Sequence, residues 1–196
     1  MRIGVLALQG DFAEHVHMVQ RLNAEAVEVR LPRDLDRLDG LIMPGGESTT
    51  FAKLAVRFGL MEPLREFIGS GKPTWGTCAG LIFMAKEVGR DQTTLGVMDI
   101  RVKRNAFGRQ IDSFIAALDV VGMAKPYDGI FIRAPLIESV GVEVEIIATL
   151  PDGTIVAARQ RNMLVTSFHP ELTRDTRMHE YFLDFITHNK AAFAPV

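Results

Sequence analysis

Two short runs of almost uninterrupted apolar residues constrain the fold of this chain more than any other feature. Residues 2–8 read RIGVLAL and residues 40–43 read GLIM. Such runs are typical of strands that are covered on both faces, as in parallel sheets, whereas half-exposed strands alternate apolar and polar residues. We therefore expect both runs to be buried strands of a largely parallel sheet.

Segments with helical spacing separate these strands. Between residues 12 and 22 apolar residues recur three or four positions apart, and Asp11 precedes them as a candidate N-cap. Strands that alternate with helices predict an α/β fold. The other elements predicted in this half are a strand over 26–31, helices over 49–58 and 61–68, a strand over 73–76 and a helix over 79–88.

The sequence changes in character after residue 95. β-branched segments separated by Gly, Pro and Asp are typical of hairpins and of antiparallel strands added to a sheet edge. A last helix is predicted over 174–189, and no repeat or linker divides the chain, so we expect one domain over residues 1–196. The β-branched segments are 100–102, 120–121, 130–132, 142–147, 155–157 and 164–166.

Composition and charge narrow the classes of partner. The 196 residues are 47% hydrophobic and 23% charged, with a formal net charge of −2. No run of Lys or Arg indicates a surface for nucleic acid or membrane, and no apolar stretch approaches the roughly 18 residues that span a bilayer. One cysteine, no zinc-type cluster and no signal-peptide pattern predict a cytoplasmic protein with no metal and no cofactor.

The single cysteine, Cys78, lies in GTCAG between a predicted strand and a predicted helix. This pattern has the form of a nucleophile elbow with cysteine in place of serine. In that turn the positions two before and two after the nucleophile are crowded, so Gly76 and Gly80 relieve a clash. The thiol would stand at a helix N-terminus, which favours thiolate, and the Ala79 N–H would point toward an oxyanion. Buried free cysteines are also common, so a purely structural Cys78 stays open at this point.

A cysteine nucleophile needs a base, and the base needs a group that orients it. His169 lies in SFHPEL directly after an apolar strand, and Glu171 follows with Pro170 between them. In an extended segment residues i and i+2 project to the same side, and proline disfavours a helix. Imidazole and carboxylate can then lie side by side, which predicts a triad of Cys78, His169 and Glu171.

The other four histidines and one acidic loop are given structural interpretations. His15 and His17 lie two apart in a predicted helix, do not face each other and are poor joint metal ligands. We interpret both, and also His179 and His188, as exposed or partly buried helix residues. The segment DLDRLDG at 34–40 departs from the calcium-loop alternation and is interpreted as a solvated turn.

The loop PGGES at 44–48 directly follows the second apolar strand. Paired glycines let backbone N–H groups approach a ligand, and loops at the carboxyl ends of parallel strands build the sites of open α/β sheets. Gly46 could therefore supply a second oxyanion donor. The alternative is a glycine-rich turn before a helix capped by Ser48, which explains the glycines but gives Glu47 no purpose.

With PGGES, GTCAG and HPE in this order, the sequence resembles class I glutamine amidotransferases, whose glutaminase domain is a flavodoxin-like, three-layer α/β fold with a Cys-His-Glu triad. Within that class it is similar to the glutaminase subunits of pyridoxal 5′-phosphate synthases. GTCAG and HPE are shared by many amidotransferases, whereas RNAFGRQ and FIRAP are more specific to these subunits. The matching blocks, which span nearly the whole chain, are LALQGDFAEH, PGGEST, GTCAGL, RNAFGRQIDSF, FIRAP and SFHPELT.

The resemblance implies hydrolysis of L-glutamine to glutamate and ammonia, and passage of the ammonia through a tunnel to a separate barrel-shaped synthase subunit. That partner would combine it with a pentose phosphate and a triose phosphate to make pyridoxal 5′-phosphate. The resemblance also makes Cys78 the nucleophile, His169 the proton carrier and Glu171 its orienting group, with Gly46 and Ala79 holding the oxyanion. The residues implied to frame the glutamine are Gly46, Glu47, Ser48, Arg104, Ile132 and Arg133.

Two other functions are compatible with parts of this pattern. The same triad could belong to the glutaminase subunit of another amidotransferase or to a stand-alone hydrolase. A non-enzymatic redox sensor or chaperone on a flavodoxin-like scaffold could also expose one reactive cysteine, although it would have no use for HPE or for the two arginines.

Overall fold

The computed structural model describes residues 1–89, 91–104 and 113–192, the last four of these as backbone only. Most of the RNAFGRQIDSF block lies outside the described residues. The strands and α-helices of the described parts are, in chain order, β1 Arg2–Leu6, α1 Phe12–Arg21, β2 Glu25–Val29, β3 Gly40–Met43, α2 Ser48–Arg57, α3 Met61–Gly69, β4 Thr74–Thr77, α4 Ala79–Met84, β5 Ala85–Val88, β6 Met98–Lys103, β7 Ser113–Leu118, β8 Tyr127–Ile132, β9 Leu136–Val140, β10 Glu145–Thr149, β11 Ile155–Gln160, β12 Met163–Thr166 and α5 Arg177–Ala192.

Five parallel strands form the half of the sheet that bears the site. Their order is β2-β1-β3-β4-β12, which matches the doubly wound order 2-1-3-4-5 with β12 as the fifth strand. β4 and β12 run side by side in register, with Thr77 opposite Thr166. The residues that follow these two strands therefore emerge next to each other at the carboxyl edge.

Beyond β12 the sheet continues with mixed strands. β11 pairs antiparallel with β12, β10 and β9, and β9 pairs antiparallel with β6. β5 closes this edge in a parallel pair with β6, while β7 and β8 form a separate two-stranded antiparallel sheet. The predicted α/β fold, a mostly parallel central sheet with antiparallel additions in the C-terminal half, is confirmed.

The core has two halves, one on each face of the sheet. In β3, Leu41 and Met43 point to one half and Ile42 to the other, as the two-residue period of a strand requires. One half is completed by α2, α3 and α4, and the other by α1, α5 and the β7–β8 pair. The uninterrupted apolar runs follow from this, because both faces of the sheet are covered.

Several local predictions were wrong. The helix predicted over 79–88 ends at Met84, and its second half is the edge strand β5. Residues 120–121 are not in a strand. Asp11 is the N-cap residue of α1, as predicted, although its side chain makes no capping bond. By contrast, α2 is capped by Glu47 rather than by Ser48. None of the helices in the described part of the chain has the length and apolar character needed to cross a bilayer.

Candidate active site

Cys78 lies in the turn between β4 and α4, with φ +46° and ψ −99°. A positive φ is strained for a residue with a side chain and occurs where the surroundings enforce it. Two backbone bonds hold the turn, since the Cys78 N–H donates to the Thr166 carbonyl at 2.9 Å and the Ile82 N–H donates to the Cys78 carbonyl at 3.2 Å. The thiol-bearing residue is thus fixed in an elbow beside the end of β12.

The two glycines of GTCAG are required by close packing. A Cβ on Gly76 would lie 2.7 Å from the carbonyl carbon of Gly80, and a Cβ on Gly80 would lie 2.0 Å from the Met43 carbonyl oxygen. Both distances are shorter than real Cβ contacts, so a side chain at either position would push α4 away from the sheet. The predicted reason for the glycines agrees with this geometry.

His169 and Glu171 lie in the segment after β12, and β12 is the neighbour of β4, which Cys78 follows. His169 Nδ1 lies 2.7 Å from Glu171 Oε1, and the His169 N–H donates to the Ile130 carbonyl of β8 at 2.8 Å. The prediction that this segment is extended was wrong, because Pro170 begins a single 3₁₀ turn, Pro170–Leu172. Imidazole and carboxylate nevertheless lie side by side.

Protonation of this pair follows from its contacts. Burial alone would lower the pKa of His169, but hydrogen bonds with Asp11, Cys78 and Glu171 outweigh it and raise the pKa. Burial would raise the pKa of Glu171, yet His15 and His169 lower it. An ionised carboxylate only accepts, so Nδ1 of His169 carries the proton that Glu171 holds and Nε2 is left for the thiol.

The glycine-rich loop after β3 packs directly on the imidazole. A Cβ on Gly45 would lie 2.5 Å from His169 Cε1, and a Cβ on Gly10 would lie 1.8 Å from the Gly45 carbonyl oxygen. The Asp11 N–H donates to that same carbonyl at 3.3 Å, and Asp11 Oδ2 lies 3.4 Å from His169 Nδ1. The loops after β1 and β3 therefore form one wall around the histidine.

Gly46 and Ala79, the predicted oxyanion donors, lie on different elements of the site. Ala79 begins α4 directly after Cys78, so its N–H has no acceptor within the helix. Gly46 has φ +140°, a conformation that favours glycine, and a Cβ there would lie 2.7 Å from Gln9 Oε1. Gln9 Oε1 accepts from the Glu47 N–H at 2.9 Å and so braces this loop.

Three of the residues implied to frame a glutamine are brought together with Gln92. Arg104 Nη2 lies 3.2 Å from Glu47 Oε1, and Arg104 Nη1 donates to Gln92 Oε1 at 2.8 Å. The buried Ser48 hydroxyl donates to the same Gln92 oxygen at 3.4 Å. Glu47 also caps α2 by accepting from the N–H groups of Thr49 and Thr50. Glu47 therefore joins the helix cap to the arginine.

Ile132 and Arg133 lie at the end of β8, the strand whose Ile130 carbonyl accepts from His169. Both side chains are exposed, and Arg133 has φ +45°. This places them next to the base segment rather than in the cluster around Arg104.

His15 and His179 were interpreted wrongly. Both are completely buried, 0% and 1% exposed, and their ring nitrogens lie 3.0 Å apart. His15 Nε2 also lies 3.2 Å from Glu171 Oε2. The sequence contained a signal for this, because His15 is three residues after Phe12 and four before Val19, on the apolar face of α1.

One group of side chains has the composition of a metal site. Ligand atoms of Asp11, His169 and Glu171 lie within 4.8 Å of one another. However, the histidine nitrogen nearest the carboxylates is the one whose proton bonds Glu171. A metal ion there would have to displace that proton and break the pair, so the donor set fits hydrogen bonding better than metal binding.

A doubly wound sheet that holds an elbow cysteine beside a His-Glu pair defines the class of enzymes with a cysteine nucleophile and a histidine base. Comparison of the sequence with known protein families identifies the family within this class. The model of the SNO glutamine amidotransferase family matches residues 5–188, and the chain belongs to that family.

Relatives and a solved structure are similar over nearly their full lengths. The pyridoxal 5′-phosphate synthase subunit PdxT of Dehalococcoides mccartyi is 56% identical, over 93% of this chain and 96% of the relative. The protein of the same name from Fervidobacterium nodosum is 53% identical, over 95% and 97%. A crystal structure of a glutamine amidotransferase superposes with a TM-score of 0.90 at 47% identity, covering 94% of this chain and 98% of that one.

Proposed function

We propose that this chain hydrolyses L-glutamine to L-glutamate and ammonia and delivers the ammonia to the synthase subunit of a pyridoxal 5′-phosphate synthase. The observation that carries the proposal is the arrangement of Cys78, His169 and Glu171 in the segments that follow the adjacent strands β4 and β12. Membership of a glutamine amidotransferase family and the names of the relatives supply the substrate and the pathway.

In the first step the Cys78 thiolate attacks the side-chain amide carbon of glutamine. The amide oxygen becomes an oxyanion, which the N–H groups of Gly46 and Ala79 stabilise. His169, protonated on both nitrogens, donates its Nε2 proton to the departing nitrogen, and the carbon–nitrogen bond breaks to give ammonia and a thioester. Glu171 keeps the ring oriented and stabilises its positive charge throughout this step.

In the second step His169 removes a proton from water, and the resulting hydroxide attacks the thioester carbon. The carbon–sulfur bond breaks and Cys78 returns as thiolate beside the protonated imidazole. The new carboxylic acid loses its proton to solvent and leaves as glutamate. No oxidant or reductant is consumed, so the triad and water account for the whole balance.

Glutamine presents a carboxylate and an ammonium group at the end away from the reacting amide. Arg104 can clamp the carboxylate, because its guanidinium has five donors and the bonds to Glu47 and Gln92 use only two. Glu47 can attract the ammonium group. Ser48, Ile132 and Arg133 would complete the frame.

The partner is proposed to be the barrel-shaped subunit that condenses ammonia with a pentose phosphate and a triose phosphate. Ammonia released into bulk water is protonated and loses its nucleophilicity, so a glutaminase of this kind needs a closed route to its acceptor. We therefore expect low activity in the isolated chain and higher activity once the synthase subunit binds.

The test measures glutamate release with and without the synthase subunit, and pyridoxal 5′-phosphate formation from glutamine and the two sugar phosphates. Cys78→Ala and His169→Asn are expected to abolish both, while the wild-type pair makes the product. Glutamate release without the vitamin product would assign the chain to another amidotransferase. Equal signals from wild type and Cys78→Ala in the presence of the partner would overturn the glutaminase proposal.

A further inference from the structure

We propose that His15, with His179 behind it, is a positioning residue of the reaction, because it fixes the oxygen of Glu171 that faces away from His169. This inference rests on the proposed glutaminase function. The two histidines come from α1 and α5, which are 164 residues apart in the chain at the point of contact. They meet inside the protein directly behind the His169–Glu171 pair.

Each oxygen of Glu171 faces the ring nitrogen of a different histidine. Oε1 lies 2.7 Å from His169 Nδ1, and Oε2 lies 3.2 Å from His15 Nε2. The side chains of Glu171 and His15 are both 0% exposed. Oε2 makes no hydrogen bond to the described residues, so the electrostatic contact with His15 Nε2 is the interaction that stabilises it. Without His15, Oε2 would be a buried carboxylate oxygen that has lost this contact. Such an oxygen favours rotation or protonation of the carboxyl group, and either change releases the imidazole.

The protons of this chain of groups are assigned from the ionised carboxylate outward. The carboxylate only accepts, so His15 Nε2 carries a proton and His15 Nδ1 is a bare acceptor. His15 Nδ1 then receives the proton of His179 Nε2 at 3.0 Å. That leaves His179 Nδ1 bare, and it is the ring nitrogen that lies buried with no partner in the described structure. Burial lowers the pKa of His179 well below its usual value, in agreement with a neutral ring.

His15 also contacts the segment that carries the nucleophile. Its Nε2 lies 3.2 Å from the hydroxyl of Thr77, the residue directly before Cys78. Trp75 packs edge-on against both histidines, with ring centroids 5.8 Å and 5.1 Å away. One imidazole therefore joins the elbow to the carboxylate, which are the two parts of the site that must stay in register.

The test exploits the reach of two amide side chains. His15→Gln can place its amide N–H near the position of Nε2, within reach of Glu171. His15→Asn is one methylene shorter and reaches only the position of Nδ1, next to His179. We expect His15→Gln to keep kcat within about threefold of wild type and His15→Asn to lose at least about tenfold, with KM changed by less than about twofold, because a misplaced base affects the reacting step.

A pH profile and a double-mutant cycle separate positioning from a structural effect. Since His15 lowers the pKa of Glu171, His15→Asn should shift the acid limb of kcat/KM to higher pH. The other titratable groups near Glu171 are His169, Asp11, His179 and Tyr127, and all are unchanged in this variant. In a Glu171→Gln background, His15→Asn should lower kcat almost no further, because its effect on the reaction passes through Glu171.

A histidine on the exposed face of the same helix provides the control. His17→Asn, on the exposed face of α1, should behave as wild type, and the emission of Trp75, the only tryptophan, checks that each core is intact. Equal kcat for His15→Gln and His15→Asn would overturn the inference. It would also be overturned if His15→Asn lowered kcat as much in the Glu171→Gln background as it does in wild type. If wild type releases no glutamate at all, the proposed function fails. The positioning role is then measured by alkylation of the single cysteine, whose rate against pH should shift in His15→Asn and not in His15→Gln.

Discussion

The α-carbon of Gly80 lies so close to the end of β3 that a Cβ would stand 2.0 Å from the carbonyl oxygen of Met43. Gly80→Ala must therefore move α4 away from the sheet or break the elbow at Cys78. We expect the free energy of unfolding to fall by about 3 kcal/mol, as in overpacked cores, and glutaminase activity to be lost more completely than stability. Chemical denaturation and glutamate release measure the two effects.

Gly69→Ala is the matched control. Gly69 is the last residue of α3, and a Cβ there would meet no atom within 4 Å. The free energy of unfolding should stay unchanged or rise by up to about 1 kcal/mol. Equal destabilisation by the two alanines would contradict the packing argument.

Glu47→Gln should reduce stability in a way that depends on pH. Partial burial would raise the pKa of Glu47, but bonds from Thr49 and Thr50 outweigh it and lower the pKa from 4.5 to about 2. Since the folded pKa is depressed, the stabilisation by the charge is complete above pH 4.5 and is lost as the pH falls toward 2. Wild type should exceed the variant by about 1 kcal/mol at neutral pH, with a smaller difference at pH 3. The same difference at both pH values in urea titrations would refute it.

Arg104→Lys should weaken glutamine binding more than it slows the reaction. Lysine cannot bridge Glu47 and Gln92 while also holding a carboxylate, because it lacks the planar fork of arginine. We expect KM for glutamine to rise about tenfold, with kcat within about twofold. Arg161→Lys, whose guanidinium makes an exposed pair with Glu143, is the control and should leave both constants unchanged. A fall in kcat alone would place Arg104 outside the substrate frame.

Ser167→Ala should leave stability unchanged or raise it. Ser167 is completely buried two residues before His169, and its hydroxyl has no hydrogen-bond partner among the described residues. Removal of an unsatisfied polar group recovers up to about 1 kcal/mol. A drop in the melting temperature would show that the hydroxyl has a partner in solution.

Strand patterns were readable from the sequence where burial on both faces leaves only apolar residues. β3 was predicted with its observed bounds for this reason. Residues 85–88 were assigned to a helix because Ala, Lys and Glu favour helices locally. In the folded protein, pairing with β6 overrides that preference. The sequence of residues 85–88 contains no pattern that indicates a partner strand ten residues later.

The triad residues were predictable because each lies in a short motif with its own geometry. The contact between His15 and His179 behind the triad was not predictable, because these residues meet only when the two helices pack on the same face of the sheet. Spacing indicates that a histidine lies on an apolar face of a helix but not which group it will meet. Gln92 is similar, because its contact with Arg104 depends on how the chain returns from β5.

β12 lies inside the sheet, between β4 and β11, although it is the last strand to leave the ribosome. A nascent chain that already contains Cys78 lacks both the Thr166 carbonyl that holds the elbow and the histidine base until residues 163–171 are translated. Premature termination anywhere before that point should thus yield fragments that cannot consume glutamine.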